Sequence, residues 1–441
     1  MFRENYISID INTHPLLQVQ DDKNHYIHSD RDAWAYPLFH LLVFIMVLRI
    51  AFFTRQRFVG DYATIDIYNL VNIVITFAII AILLVRLQDV ILLIRNSGTA
   101  VRCIIFYYAF CAFVGLLSPS TGYAVFRASE FLACFLAIML IVSRYSNFFK
   151  AERVVLIWVS LILVIDFAGH IRLSGWGNFH ATRYSITAAL LFAYSFGEFA
   201  SAAGRRKQLL IVLLAIGLGG VLLGTSTGTN ISLAGGLIVL FILSSRHRRY
   251  ILIAVPVLIL AIGWDSLLGI ILGGKTREQV VNLDHRIGIW EIGWDLFTKR
   301  PCLGYGLNVA TREYSQNLSS HNAYLESLLA GGILGAGVLF FGCLALLRDL
   351  LRSVKSRSYG SLGCCVATIV YLINGASAPT IGYVLTPANI SFAFILALFI
   401  YHVRFSIKRT IEPKEITSAQ WSQISQLHVY RKDPEPSAEV P

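Results

Sequence analysis

The stretch SSHNAYLESLLAGGILG (319–335) puts His321 at the head of a long apolar run. An imidazole titrates near neutral pH, so it can take or give a proton under ordinary conditions. Upstream, LDHRIGIWEIGWDLFTKRP (283–301) sets Arg286 among aromatic residues. A guanidinium offers a planar fork of donors that grips an oxyanion bidentately, as in a phosphate or pyrophosphate. A third segment, HIRLSGWGNFHATRYS (170–185), holds Arg172, His180 and Arg183. Together they can remove a proton beside an anionic leaving group. Each also has a plainer use: a histidine at a helix end can cap it, and an arginine at an interface can anchor it. Glu130, Asp166, Glu198 and Glu326 sit inside apolar runs, where ionisable groups are costly and mark function. Glu326 follows His321 by five residues, about 140° round an ideal helix, which argues against a direct His–Glu pair.

The elements that position these groups are membrane helices. Of 441 residues, 56% are hydrophobic and only 14% charged, against about 25% charged in soluble chains. Apolar runs of about 20 residues suffice to cross the hydrocarbon. They recur near 37–53, 67–85, 101–118, 124–143, 153–169, 184–202, 209–224, 230–245, 250–264, 322–347, 361–378 and 388–405. The expected fold is an all-α polytopic membrane protein of about twelve spans. Residues 1–36 form a polar cytoplasmic tail with no cleavable signal peptide. Spans one to nine occupy 37–264, a large periplasmic loop runs over 265–321, three more spans cover 322–405, and 406–441 form a cytoplasmic tail.

The net charge of +11 does not point to nucleic acid. Most of the arginines and lysines lie in short loops, the pattern that marks the cytoplasmic side. The segments 144–153, 205–207, 246–249, 348–357 and 404–409 are basic, whereas SPSTG (118–122), TSTGT (225–229) and PTIGYVLTP (379–387) carry no charge. By alternation the uncharged segments and the loop at 265–321 face outward; Arg55 and Arg57 break the pattern after the first span. Within that loop Leu283, Ile287, Trp290, Trp294 and Phe297 recur at helical spacing, which predicts a helix lying in the membrane interface with Pro301 as its stop. Gly331, Gly332, Gly335 and Gly337 are expected to let a neighbouring helix approach closely. Six of the seven cysteines fall in apolar runs, so no disulfide framework is expected, and no Cys/His spacing suggests a metal.

The sequence of HRIGIW, KRPCLGYGLN and SHNAYLESLLAGGILG resembles the O-antigen ligase and Wzy-type polymerase superfamily over about residues 170 to 340. The similarity is carried by His321 and Asn322 followed by Gly332 and Gly335. It implies a GT-C-like protein of the bacterial inner membrane whose active site faces the periplasm. Such proteins are inverting glycosyltransferases that move a glycan from undecaprenyl pyrophosphate to an acceptor hydroxyl, with no metal or other cofactor. The resemblance makes His321 the general base and Arg286 a ligand of the donor pyrophosphate. A second family arginine usually follows a serine at the outer end of a middle span. Here Ser226 is followed by Thr227, so Arg172 and Arg183 become the candidates for that cation, with Asn322 and Ser226 in support. Polymerisation of exopolysaccharide or O-antigen repeat units is the favoured activity. Attachment of glycan to a lipid A core, flipping of a lipid-linked oligosaccharide and a non-enzymatic scaffold are the alternatives. Membrane lipid, a chain-length regulator and a flippase are the implied partners.

Overall fold

The computed structural model describes residues 34–52, 67–145, 147–174, 182–224, 226–244, 250, 286–310, 320–378 and 380–403. Residues 1–33 of the expected amino-terminal tail, the whole carboxy-terminal tail, all of the ninth span except Tyr250, His180, Leu283 and the loop residues 265–285 and 311–319 lie outside the described residues, while Ala35 and Tyr36, expected in the tail, begin the first helix. Among the described residues the regular structure is entirely helical. In chain order the helices are α1 (Ala35–Phe52), α2 (Ile67–Val85), α3 (Leu87–Asn96), α4 (Thr99–Gly115), α5 (Thr121–Ser143), α6 (Phe148–Ser174) and α7 (Thr182–Phe199). Then follow α8 (Gly204–Leu223), α9 (Thr227–Leu243), α10 (Arg286–Lys299), α11 (Ala323–Lys355), α12 (Ser361–Asn374) and α13 (Pro387–Leu398), the last continuing as a π-helical turn to Val403.

Apart from the ninth, the expected apolar stretches fall on these helices. Five of them, α1, α5, α6, α8 and α11, are long and apolar enough to cross a membrane, and α2 with α3 makes a sixth if that bent pair is one span. The helices α4, α9, α12 and α13 are apolar but shorter. The sequence reading did not foresee α3, which departs from α2 by 83°. Arg86 stands at that bend, pairs with Asp89 and donates to Tyr36 Oη.

The helices differ in how much of their surface is covered. On α7 and α13 nearly every described side chain is buried, so these two lie inside the bundle. Helix α8 instead exposes Ile211, Val212, Ile216, Leu218, Leu222 and Leu223 along its length. Such an apolar face is suited to lipid. Because lipid tails are as apolar as leucine, helices in a bilayer gain from close contact rather than from escaping water. Gly197 lies against Gly363, and a Cβ there would stand 2.7 Å from the Gly363 Cα.

The two ends of the bundle are chemically distinct. At one end Glu198 accepts hydrogen bonds from the Gly360 and Gly363 amides, each at 3.0 Å, and caps the start of α12. Arg206 bridges Glu198 and Glu152 there, at 2.9 and 2.7 Å. These contacts join the basic segments around 205 and 357, and give Glu198 a structural use. At the other end Tyr107 and Tyr108 of α4 donate to the Gly382 and Tyr383 carbonyls at 2.9 and 3.0 Å. Gly306 packs on Gly115 and Ala124 at the same end. Among the described residues, the uncharged stretches near 118–122 and 380–387 therefore lie away from the basic ones near 205 and 357.

Helix α11 is broken at Gly332, with φ 60° and ψ −165°. A break at membrane depth strands backbone groups that water cannot reach, and they must find protein partners. The segment after α10 supplies them. Tyr305 N and Gly306 N donate to the Leu329 and Ala330 carbonyls at 2.8 and 2.9 Å, while Ile333 N donates to the Pro301 carbonyl at 2.8 Å. The KRPCLGYG motif is thus the plug of a helix break. A Cβ on Gly332 would lie 2.2 Å from the Cys302 carbonyl oxygen. Gly332 therefore faces a loop backbone rather than the neighbouring helix expected of it. Gly335 does face a helix, with Phe110 of α4 3.0 Å from a would-be Cβ, whereas Gly337 meets nothing within 4 Å.

These environments separate two substitutions five residues apart on the same helix. Gly332→Ala combines a clash with a backbone region essentially closed to other residues, a strain of about 1–3 kcal/mol before the clash is counted. It is expected to lower the thermal midpoint of the detergent-purified protein sharply. Gly337→Ala, in open helix, is expected to leave it equal or slightly higher. Size-exclusion profiles after graded heating measure both.

Candidate active site

Asn322 begins α11 as its cap: Oδ1 accepts from the Tyr324 and Leu325 amides at 3.0 and 3.1 Å. His321 immediately precedes it, exposed, with φ at 49°. That left-handed conformation is disfavoured for a side chain with a Cβ, by about 1–2 kcal/mol. The surrounding contacts hold it. The Ser320 amide donates to Glu326 Oε1 at 3.1 Å, and the Ser320 carbonyl accepts from Trp290 Nε1 at 2.7 Å. Beyond the histidine, Ala323 N donates to the Gly375 carbonyl at 2.8 Å. Tyr324 Oη donates to the Leu372 carbonyl.

Arg286 opens α10, and its Nη1 donates to the Ser377 carbonyl at 2.7 Å. The turn at 375–377 therefore receives Arg286 from one side and the start of α11 from the other. Trp290, one helical turn after Arg286, makes the second link, through Ser320. The structure thus ties Arg286, and the start of α11 that directly follows His321, to one turn.

The contact face of α10 differs from the expected stripe. Gly293, Leu296 and Phe297 are buried, with Trp290 packed beside them, while Ile287 and Trp294 are 47% and 56% exposed. Gly293 sets this face, since a Cβ on it would be 2.8 Å from Leu325 Cδ2. The helix docks where its small residue allows α11 to approach, and the stripe of large residues is split between core and surroundings.

Ser226 caps α9, and its Oγ accepts from Thr229 Oγ1 at 3.1 Å. Asn374 Nδ2 donates to Thr229 Oγ1 at 3.2 Å, and Gly228 lies against the Ser377 side chain. Ser226 is therefore connected to the same turn as Arg286. Arg183 lies in the first turn of α7, and its side chain is outside the described residues. Ser185, two positions on, donates to the Gly224 carbonyl at 3.2 Å, which places this part of α7 beside the start of α9. Arg172 is exposed at the end of α6, its guanidinium 6.0 Å from the Phe52 ring of α1.

Sequence reading missed two cations. Arg127 pairs with the fully buried Glu130 at 2.7 Å, and Arg49 with the same carboxylate at 3.3 Å. Asn72 donates to Glu130 at 2.8 Å. Arg127 also lies 5.2 Å from the Tyr123 ring, and Tyr123 Oη accepts from Asn308 Nδ2 at 2.7 Å. This cluster therefore adjoins the segment that plugs α11. The i, i+3 spacing of Arg127 and Glu130 was a usable signal. Arg49, 81 residues from its partner, left none.

Chemically, the arrangement offers an exposed imidazole, a guanidinium oriented by a backbone carbonyl, and a helix start between them. Among the described residues, no group of three or more His, Cys, Asp or Glu side chains is placed to hold a metal ion. No curated protein matches the chain. Residues 209–340 match the family model described as O-antigen ligase, a span that includes Ser226, Arg286, His321 and Gly332 but neither Arg172 nor Arg183. The chain thus carries an O-antigen ligase domain at residues 209–340, which supports its place in the O-antigen ligase and Wzy-type superfamily of membrane proteins that transfer lipid-linked glycans.

Proposed function

We propose that this protein moves a glycan from undecaprenyl pyrophosphate to an acceptor hydroxyl, and that it polymerises exopolysaccharide or O-antigen repeat units. The observation that carries this reading is that Arg286, and Ala323 two residues after His321, both hydrogen-bond to the 375–377 turn, with Arg286 and His321 themselves inside the stretch that matches the O-antigen ligase family model. In the proposed reaction His321 takes the proton of the acceptor hydroxyl. The freed oxygen attacks the sugar C1 and displaces the pyrophosphate from the opposite face, so the anomeric centre inverts. Arg286 receives the charge that grows on the leaving oxygens; preorganised charges of this kind are worth most where water is excluded. Arg183 or Arg172 supplies a second cation from the ends of α7 and α6. The lipid tail stays in the bilayer and the glycan in water, which is why the site belongs at the rim.

This reading carries a topology of twelve spans, with the 265–321 loop and the site in the periplasm and both tails in the cytoplasm of a bacterium with an inner membrane. A flippase and a chain-length regulator would work beside it. A ligase acting on a lipid A core would use the same residues with a different acceptor.

Orientation can be tested directly. Asp295 on α10 is 62% exposed and forms an i, i+4 pair with Lys299 at the surface, a pair of small energetic weight. In a Cys302→Ser background, Asp295→Cys is expected to react with a membrane-impermeant maleimide in intact cells as fully as in lysed ones. Reaction only after lysis would put α10 in the cytoplasm and end this reading.

A further inference from the structure

The proposed chemistry leaves one ionisable group beside His321 without a role. Glu326 is 2% exposed in the first turn of α11, and its Oε1 takes the Ser320 amide at 3.1 Å. The peptide unit on the other side of Ser320 is held as well, since its carbonyl accepts from Trp290 Nε1 at 2.7 Å. Both peptide units flanking the Ser320 Cα are therefore fixed. The second of them contains the His321 amide nitrogen, about which the unusual φ of 49° is set. A residue kept in a sparsely populated conformation stays there only when its surroundings over-determine it. Here the surroundings are a buried carboxylate on one side and an indole on the other.

We infer that Glu326 is a positioning residue for His321: it locks the Ser320 backbone so that the imidazole is presented at the acceptor, and it takes no proton in the reaction. This rests on His321 acting as the general base. The bond from the Ser320 amide to Glu326 acts on the histidine through the main chain, which explains how Glu326 can serve the site although helix geometry turns it away from the imidazole.

The role predicts an asymmetry between two substitutions. A carboxamide oxygen accepts the same amide hydrogen bond, whereas alanine cannot. In proteoliposomes supplied with lipid-linked repeat units, Glu326→Gln is expected to stay within about threefold of the wild-type kcat, and Glu326→Ala to lose about 10²-fold, the scale of a small misplacement of a reacting group. The KM for the lipid-linked donor is expected to stay the same in both. Trp290→Phe releases the other side of the turn and is expected to lower kcat in the same way, which keeps the test open if Glu326→Ala does not fold. In a His321→Ala background neither change is expected to cost anything further.

A dead Glu326→Gln with an intact melting profile would make the carboxylate chemical rather than positional. A fully active Glu326→Ala, a loss carried by KM, or a loss that persists without His321 would likewise overturn the inference and leave the histidine reading standing. A His321→Ala protein with normal activity would remove both together.

Discussion

His321→Ala is expected to lower the rate of glycan transfer by about 10²–10⁴-fold, the range contributed by a positioned general base, with little change in the KM for the lipid-linked donor. The reason for the split is positional. His321 stands at the start of α11, and Arg286 reaches the same turn from α10, so removing the imidazole leaves the cation in place. On the proposed mechanism, binding of the pyrophosphate is then expected to be retained and proton removal to be lost. Backbone conformation has to be controlled, because alanine keeps the cost of a φ of 49° without any compensation. His321→Asn is the cleaner variant: asparagine tolerates the left-handed region through its short polar side chain, yet it cannot take a proton. Both variants are expected to show this loss of rate, and the asparagine protein to melt with the wild type. An active asparagine variant would make the histidine a structural turn residue.

Arg286→Ala is the second large effect, expected at about 10²–10³-fold in kcat, the cost of deleting one donor that stabilises a developing charge. Two consequences combine in it. The guanidinium no longer meets the leaving pyrophosphate, and the Ser377 carbonyl loses its partner at 2.7 Å. Arg286→Lys separates them. An ammonium can still reach a carbonyl and still carries charge, but it has no planar fork with which to hold two oxygens at once. The lysine protein is therefore expected to fold as the wild type does and to recover only a small part of the rate. Full recovery would mean that charge alone is needed and that the fork is irrelevant; recovery in neither fold nor rate would make Arg286 a structural tie between α10 and the 375–377 turn.

Much of the helical scaffold was legible because hydropathy needs only local composition. The runs at 37–53, 124–143 and 209–224 match α1, α5 and α8 within a few residues. What escaped was non-local. The break in α11 depends on carbonyls freed at 329–330 meeting amides at 305–306, and no property of GGILG alone announces that partner. The bend between α2 and α3 is organised by Arg86 with Tyr36 of another helix, again across the chain. For the site, the residue types were readable and their neighbours were not. His321 and Arg286 could be singled out from their settings. That Trp290 holds the carbonyl before the histidine, or that Glu326 holds the amide, required the docking of α10 on α11. Helix spacing argues against Glu326 as a direct partner of the imidazole, but its grip on the residue before the histidine is a backbone contact that angular spacing on a helix cannot display.

The central claim is that this site makes a covalent bond between glycans at the expense of a lipid pyrophosphate. Purified protein in proteoliposomes, given lipid-linked repeat units, measures it: the claim predicts glycans lengthened by whole units, one polyprenyl pyrophosphate released for each unit added, and both products formed about 10²–10⁴-fold more slowly with His321→Asn. Movement of intact lipid-linked units from one leaflet to the other, with no pyrophosphate released and no lengthening, would contradict it and make the protein a flippase.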